Sequence, residues 1–138
     1  MLTEHQEQKL FVKWFELQYP QVKIFAIPNG GNRNVITATM LKAEGVRSGV
    51  PDLFIPEWLM WIEMKRVKGG KLSPAQSDWI NYLNGCGHTA LVANGFDEAK
   101  AIVQGRSLSD NPVWPDTDER MDNIGPNGND GCHYDKLI

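Results

Sequence analysis

The sequence predicts a mixed α/β fold, with a small sheet set between helices. Three observations point there. Segments with apolar residues at helical spacing alternate with short apolar runs, in the order α-β-α-β-β-α-β-α. Glycine and proline punctuate most of the joins. One helix start carries a full set of capping signals, Ser73-Pro74-Ala75-Gln76.

The elements follow in order. Residues 4–18 read as an amphipathic helix, with Leu10, Phe11, Trp14 and Leu17 at helical spacing and Lys9, Lys13 and Glu16 between them. Pro20 stops it. Val22–Ile27 is a strand candidate closed by Pro28, and Asn29-Gly30-Gly31-Asn32 is a turn or loop. A second helix covers Val35 to Glu44 and ends at Gly45. Asp52–Ile55 and Leu59–Lys65 are two apolar strands joined by Pro56-Glu57-Trp58, and Gly69-Gly70 is a turn. In the next helix Ser73 suits the N-cap, Pro74 the first helical position and Gln76 the third, completing a capping box. Trp79, Ile80 and Leu83 give it an apolar stripe, and Gly85-Cys86-Gly87 ends it. His88–Ala93 reads as a strand and Phe96–Val103 as a last helix. The expected division is a domain over 1–105 and an extended acidic tail over 106–138, whose Pro112, Pro115 and Pro126 break regular structure.

Composition bounds the function class. Of the residues, 41% are apolar and 22% charged, enough for a real core. No apolar run approaches the roughly 20 residues that span a membrane, and the polar opening residues do not resemble a secretory leader. Cys86 and Cys132 form neither a zinc-type spacing nor a disulfide framework, so a reducing, cytoplasmic setting is expected. His5, His88 and His133 show no ligand spacing. The net charge of −3 looks wrong for a nucleic-acid binder, but its distribution is uneven. Residues 1–105 hold 11 Lys/Arg against 10 Asp/Glu, whereas 106–138 hold 3 against 7. Between Arg33 and Lys71 there are 7 basic residues against 4 acids. That local excess suits phosphate contacts, although for any one of these side chains a solvated charged surface is the stronger reading.

The chemistry gathers in two motifs, Pro51-Asp52 and Glu63-Met64-Lys65. Hydrolysing a phosphodiester needs charge neutralisation and an activated water. A hard divalent cation supplies both, and carboxylates and water hold it. Strand alternation turns Glu63 and Lys65 to one side and Met64 to the other. Two acids and an ammonium then converge, with the Met64 backbone carbonyl available as a further ligand and Lys65 able to orient water or stabilise phosphate charge. The plainer alternatives are a turn-forming Asp52 and an edge strand that leaves Glu63 and Lys65 solvated. Asn29-Gly30-Gly31-Asn32-Arg33 offers loop donors, while Arg47 and Ser48 before the site and Arg66, Lys68 and Lys71 after it bracket it with polar and cationic groups suited to a DNA backbone. No helix-turn-helix, zinc-finger or RNA-binding signature is present, which favours recognition of shape over sequence.

The runs Gly45-Val46-Arg47-Ser48-Gly49-Val50-Pro51-Asp52, Glu63-Met64-Lys65 and Lys71-Leu72-Ser73-Pro74-Ala75-Gln76 together resemble the VRR-NUC domain, a branch of the PD-(D/E)XK nuclease superfamily. The resemblance extends from about Glu4 to about Val103, and is to stand-alone members of phage or bacterial type. It implies a restriction-endonuclease-like core and a metal-dependent nuclease centre at Asp52, Glu63 and Lys65, with Gln76 as the helix glutamine of the pattern. It also implies a metal ligand from the first helix, Glu4 or alternatively Glu7, of which Glu4 fits the opening pattern better. The implied cofactor is Mg²⁺ or Mn²⁺, and the implied partner is branched, junction or flap DNA, cut by a homodimer in the cytoplasm of a bacterial or phage-infected cell. Two other readings stay open: a DNA-binding module of the same fold without catalysis, and a sequence-specific restriction-type nuclease.

Overall fold

A computed structural model describes residues 1–28 and 34–109. They form four α-helices and one four-stranded sheet. The order is α1 (Glu4–Gln18), β1 (Phe25–Ala26), α2 (Val35–Ala43), β2 (Leu53–Ile55), β3 (Met60–Lys65), α3 (Pro74–Gly85), β4 (Thr89–Asn94) and α4 (Phe96–Ser109), with a 3₁₀ turn at Pro56–Trp58. The expected mixed α/β architecture is present. The tail beyond residue 109 and the loop at 29–33 lie outside the described residues.

The strands lie in the order β1-β2-β3-β4. β1 runs antiparallel to β2, and β2 antiparallel to β3, with Leu53 opposite Ile62 and Phe54 opposite Trp61. β3 and β4 are parallel, because α3 carries the chain back between them. Alternation then divides the sheet. Leu53, Ile55, Met60, Ile62 and Met64 point to one face, where they form the core with Phe11 and Phe15 of α1 and Ala99 and Val103 of α4. Asp52, Phe54, Trp61, Glu63 and Lys65 belong to the other face. There α3 packs at the β4 end. Asn84 of α3 pairs with both the N–H and the carbonyl of Ala90, at 2.8 and 3.1 Å, and so occupies part of the outer edge of β4.

Local signals explain the element ends. Thr3 caps α1 in a capping box with Gln6, and Ser73 caps α3 in one with Gln76 and Pro74 at the start. Gly45 closes α2 in the left-handed region at φ 103°, and the Val46 N–H reaches back to the Leu41 carbonyl, a Schellman ending.

Four expectations need correction. The buried stripe of α1 is Glu7, Phe11 and Phe15, while Leu10 and Leu17 are exposed, so the burying face is rotated from the one expected. The strand expected over Val22–Ile27 pairs only at Phe25 and Ala26, because β2 offers just three residues beside it. Leu59 is not in a strand; it ends the 3₁₀ turn in a left-handed conformation at φ 48°. The last helix continues past Val103 to Ser109, since a helix tolerates Gly105 at a cost of about 1 kcal/mol.

Candidate active site

β2 and β3 bring the expected acids together. The Asp52 carboxylate accepts a hydrogen bond from the Met64 N–H at 2.8 Å, which fixes it beside β3. Glu63 and Lys65 both project to the α3 side, as alternation requires, and both are almost wholly buried. Their ammonium–carboxylate separation is 3.5 Å.

Gln76 ties the group together. Its Nε2 donates to Glu63 Oε1 at 2.7 Å, and its Oε1 accepts from Lys65 Nζ at 3.0 Å. The same Oε1 accepts from the Ser73 N–H at 2.9 Å. One rotamer of this side chain thus both caps α3 and bridges Glu63 to Lys65. The first turn of α3 is pressed onto the lead-in to Asp52 at Gly49. A Cβ there would lie 2.6 Å from the Ala75 carbonyl carbon, and the backbone is left-handed at φ 89°, so glycine is required on both counts.

The site is electrostatically loaded. Burial raises the Glu63 carboxyl from its ordinary 4.5 to about 7, the neighbouring Asp52 charge adds to the rise, and Lys65 opposes it. Burial also raises the Asp52 carboxyl, against the Met64 amide bond that favours its charge, and Glu4 pushes in the same direction as burial. Two desolvated carboxyls that resist joint ionisation are under-neutralised by one ammonium.

Glu4 and Glu7, one helical turn apart on α1, part company. Glu4 Oε1 stands 3.8 Å from Lys65 Nζ with its side chain half exposed at the rim of the site. Glu7 is buried and accepts from the Phe96 N–H at 2.6 Å, so its carboxylate caps α4. Among the described residues no three His, Cys, Asp or Glu side chains form a preformed ligand cluster. The donor set nevertheless fits a hard cation such as Mg²⁺, which binds through one or two carboxylates and keeps several waters. Asp52 and Glu63 provide those carboxylates and Glu4 stands nearby. The Met64 backbone lies in the same turn of chain, with its N–H already on Asp52.

The cationic candidates divide. Arg66 and Lys71 line a cleft of about 300 Å³ with Thr3, Glu4, Lys65 and Gly70, opening directly from the site. Lys68 is exposed on the same loop. Arg47 donates to the Lys42 carbonyl at 2.8 Å, so its guanidinium helps to close α2, and Ser48 is exposed beside it. Asn29 and Arg33 fall outside the described residues. Two features escaped the sequence. The His88 Nδ1 accepts from Trp61 Nε1 at 2.9 Å, a pairing across 27 positions of sequence. The role of Glu7 at α4 was also hidden, because its partner is 89 positions away.

No curated protein matches the chain. A solved structure described as a VRR_NUC domain protein is 27% identical and superposes with a TM-score of 0.66, covering 78% of this chain and 89% of that one. The VRR-NUC domain model matches residues 2–97. With that match across most of its length, the chain belongs to the VRR-NUC domain family of PD-(D/E)XK nucleases.

Proposed function

We propose that this protein is a Mg²⁺- or Mn²⁺-dependent endonuclease that hydrolyses phosphodiester bonds in branched or otherwise structured DNA, as a Holliday-junction resolvase does, and that it acts as a homodimer. PD-(D/E)XK nucleases generally use divalent metals, and a nuclease domain implies DNA as its partner. The observation that carries the reading is the closed network of Asp52, Glu63, Lys65 and Gln76, in which each side chain is held by another or by backbone.

A divalent cation held by Asp52 and Glu63, with Glu4 in reach, would neutralise phosphate charge and lower the pKa of a water. The chain's own groups do the rest. Lys65 faces the developing negative charge, and its position is fixed by Gln76 rather than by a flexible stem. Gln76 also fixes the Glu63 carboxylate, leaving Glu63 Oε2 without a contact from Gln76. Arg66, Lys68 and Lys71 would hold the DNA backbone along the adjoining cleft, with Arg47, Ser48, Asn29 and Arg33 as further backbone contacts. The absence of a groove-reading module among the described elements favours shape over sequence.

Homodimer formation is supported by α2, which buries none of its residues although Val35, Ile36 and Met40 are apolar. A two-fold pair presents two active sites related by symmetry, as symmetric cutting of a four-way junction needs. The acidic tail remains an expectation of the sequence over 110–138, since 106–109 belong to α4. The test is a panel of labelled four-way junction, flap, splayed-arm and linear duplex DNA with Mg²⁺, with Mn²⁺ and with EDTA. Metal-dependent cuts in the branched substrates are expected, and uncut DNA in every lane would end the nuclease reading.

A further inference from the structure

The sheet face that holds Asp52, Glu63 and Lys65 also carries an aromatic row. Phe25, Phe54 and Trp61 stand opposite one another on β1, β2 and β3. Their ring centroids are 5.7 Å apart for Phe25–Phe54 and 4.2 Å for Phe54–Trp61, the second pair stacked. His88 closes the row, 6.3 Å from Trp61 and hydrogen-bonded to its indole N–H. That bond satisfies the indole donor of Trp61 within the row.

The opposite face of the same strands is aliphatic and sealed by α1 and α4. This face is treated differently. α3 covers only its β4 side, and α2, which lies between β1 and β2 in sequence, buries no residue. Phe25 at the open end is therefore 49% exposed, and Phe54 and Trp61 are partly so. Cross-strand packing alone explains the Phe54–Trp61 stack. It does not explain a third ring, edge-on to Phe54, left half in water beside that stack.

The row is continuous with the catalytic face. Phe54 of β2 is two residues beyond Asp52, which leads into that strand, and Trp61 is two residues before Glu63 on β3. Two residues along a strand span about 6–7 Å. We propose that Phe25, Phe54 and Trp61 form a stacking platform for an unpaired nucleobase of the DNA strand whose phosphodiester lies at Asp52, Glu63 and Lys65. Every base has a π-face, so such a platform is indifferent to sequence but demands a base out of its duplex stack. It would supply the preference for branched DNA that the carboxylates themselves cannot. This rests on the nuclease reading of the site, and the experiment separates the two.

Wild type, Phe25→Ala, Phe25→Leu and Phe25→Tyr are titrated in EDTA with a paired duplex and with the same duplex ending in a splayed arm that carries 2-aminopurine. Melting temperatures are measured alongside. The Leu variant keeps apolar bulk and carries the test if Ala unfolds. Wild type and Tyr should quench the 2-aminopurine, whereas Ala and Leu should not, and their preference for splayed over paired DNA should fall roughly tenfold. The platform is overturned by quenching that survives in Ala and Leu, by equal weakening on both DNAs, or by wild type failing to quench at all. A dimer that dissociates in Phe25→Ala overturns it too, because the ring would then belong to a second copy. Adding Mn²⁺ afterwards tests the nuclease separately: uncut DNA with quenching intact sinks that reading while the platform stands.

Discussion

At the scale of single residues, the two acids in the first turn of α1 have different work. Glu7 spends its carboxylate on the first amide of α4 from a buried position. Removing that acceptor leaves a buried N–H unsatisfied, so Glu7→Ala should cost about 1–3 kcal/mol in a denaturant melt. Glu4 pairs with Lys65 from a half-exposed rim, so Glu4→Gln should leave the melt within about 0.5 kcal/mol while slowing metal-dependent cleavage. A Glu4→Gln protein as active as wild type would remove Glu4 from the metal shell. Gln76 and Ser73 form a second informative pair, since both belong to the capping box but only Gln76 reaches Glu63 and Lys65. Ser73→Ala should cost about 1 kcal/mol and keep its cleavage rate. Gln76→Ala should lose similar stability, cut roughly tenfold or more slowly, and displace the pH–rate profile, because Glu63 loses its donor. An unshifted profile would make Gln76 a cap alone. Lys65→Ala should cut roughly 10²–10³-fold more slowly and still bind DNA in a gel-shift assay.

At the scale of elements, the motif loops needed a glycine and the sequence displayed it. Gly49→Ala would force a methyl group to within 2.6–2.8 Å of the Ala75 backbone at a left-handed φ. The neighbouring atoms are helix backbone and cannot rotate away. A loss of roughly 2–4 kcal/mol follows from strain and overpacking together, and cleavage should fall as well because the loop delivers Asp52. A melt unchanged from wild type would contradict the contact. The same loop shows why much of this molecule is legible without coordinates. Capping boxes, helix-ending glycines and the alternation that sends Glu63 and Lys65 to one side are local rules, written within a few residues. What stayed hidden depends on pairing between distant segments. α1 offers two adjacent apolar stripes, and only its contact with β3 and α4 selects Glu7, Phe11 and Phe15 over Leu10 and Leu17. Val22–Ile27 looks like a strand, but its length is set by the three residues of its partner. The aromatic row was unreadable for the same reason, since it needs the register of three strands at once.

At the scale of the whole molecule, the buried acids couple stability to pH and, on the proposed reading of the site, to metal. In the folded chain Glu63 titrates near 7, against an ordinary 4.5, and Asp52 is raised too. The folded state thus holds a proton that the unfolded chain has already released between those values. Stability contributed this way is complete below about pH 4.5 and is lost as the pH rises through about 7. In EDTA the melting temperature should therefore fall between pH 5 and pH 8, and Glu63→Gln should flatten much of that slope by removing the titrating group. A divalent cation selects the ionised carboxylates, so it reverses the sense of the linkage. At a concentration 100 times its dissociation constant it would add about 2.7 kcal/mol, worth several degrees of melting temperature in a domain of this size. The metal-induced rise should be larger at pH 8 than at pH 5.5, because fewer protons must be displaced. Differential scanning fluorimetry with Mg²⁺, Mn²⁺ and EDTA across that range reads both effects. A metal shift of equal size at the two pH values, or one that survives in the Asp52→Asn, Glu63→Gln double variant, would place the cation somewhere other than between these two acids.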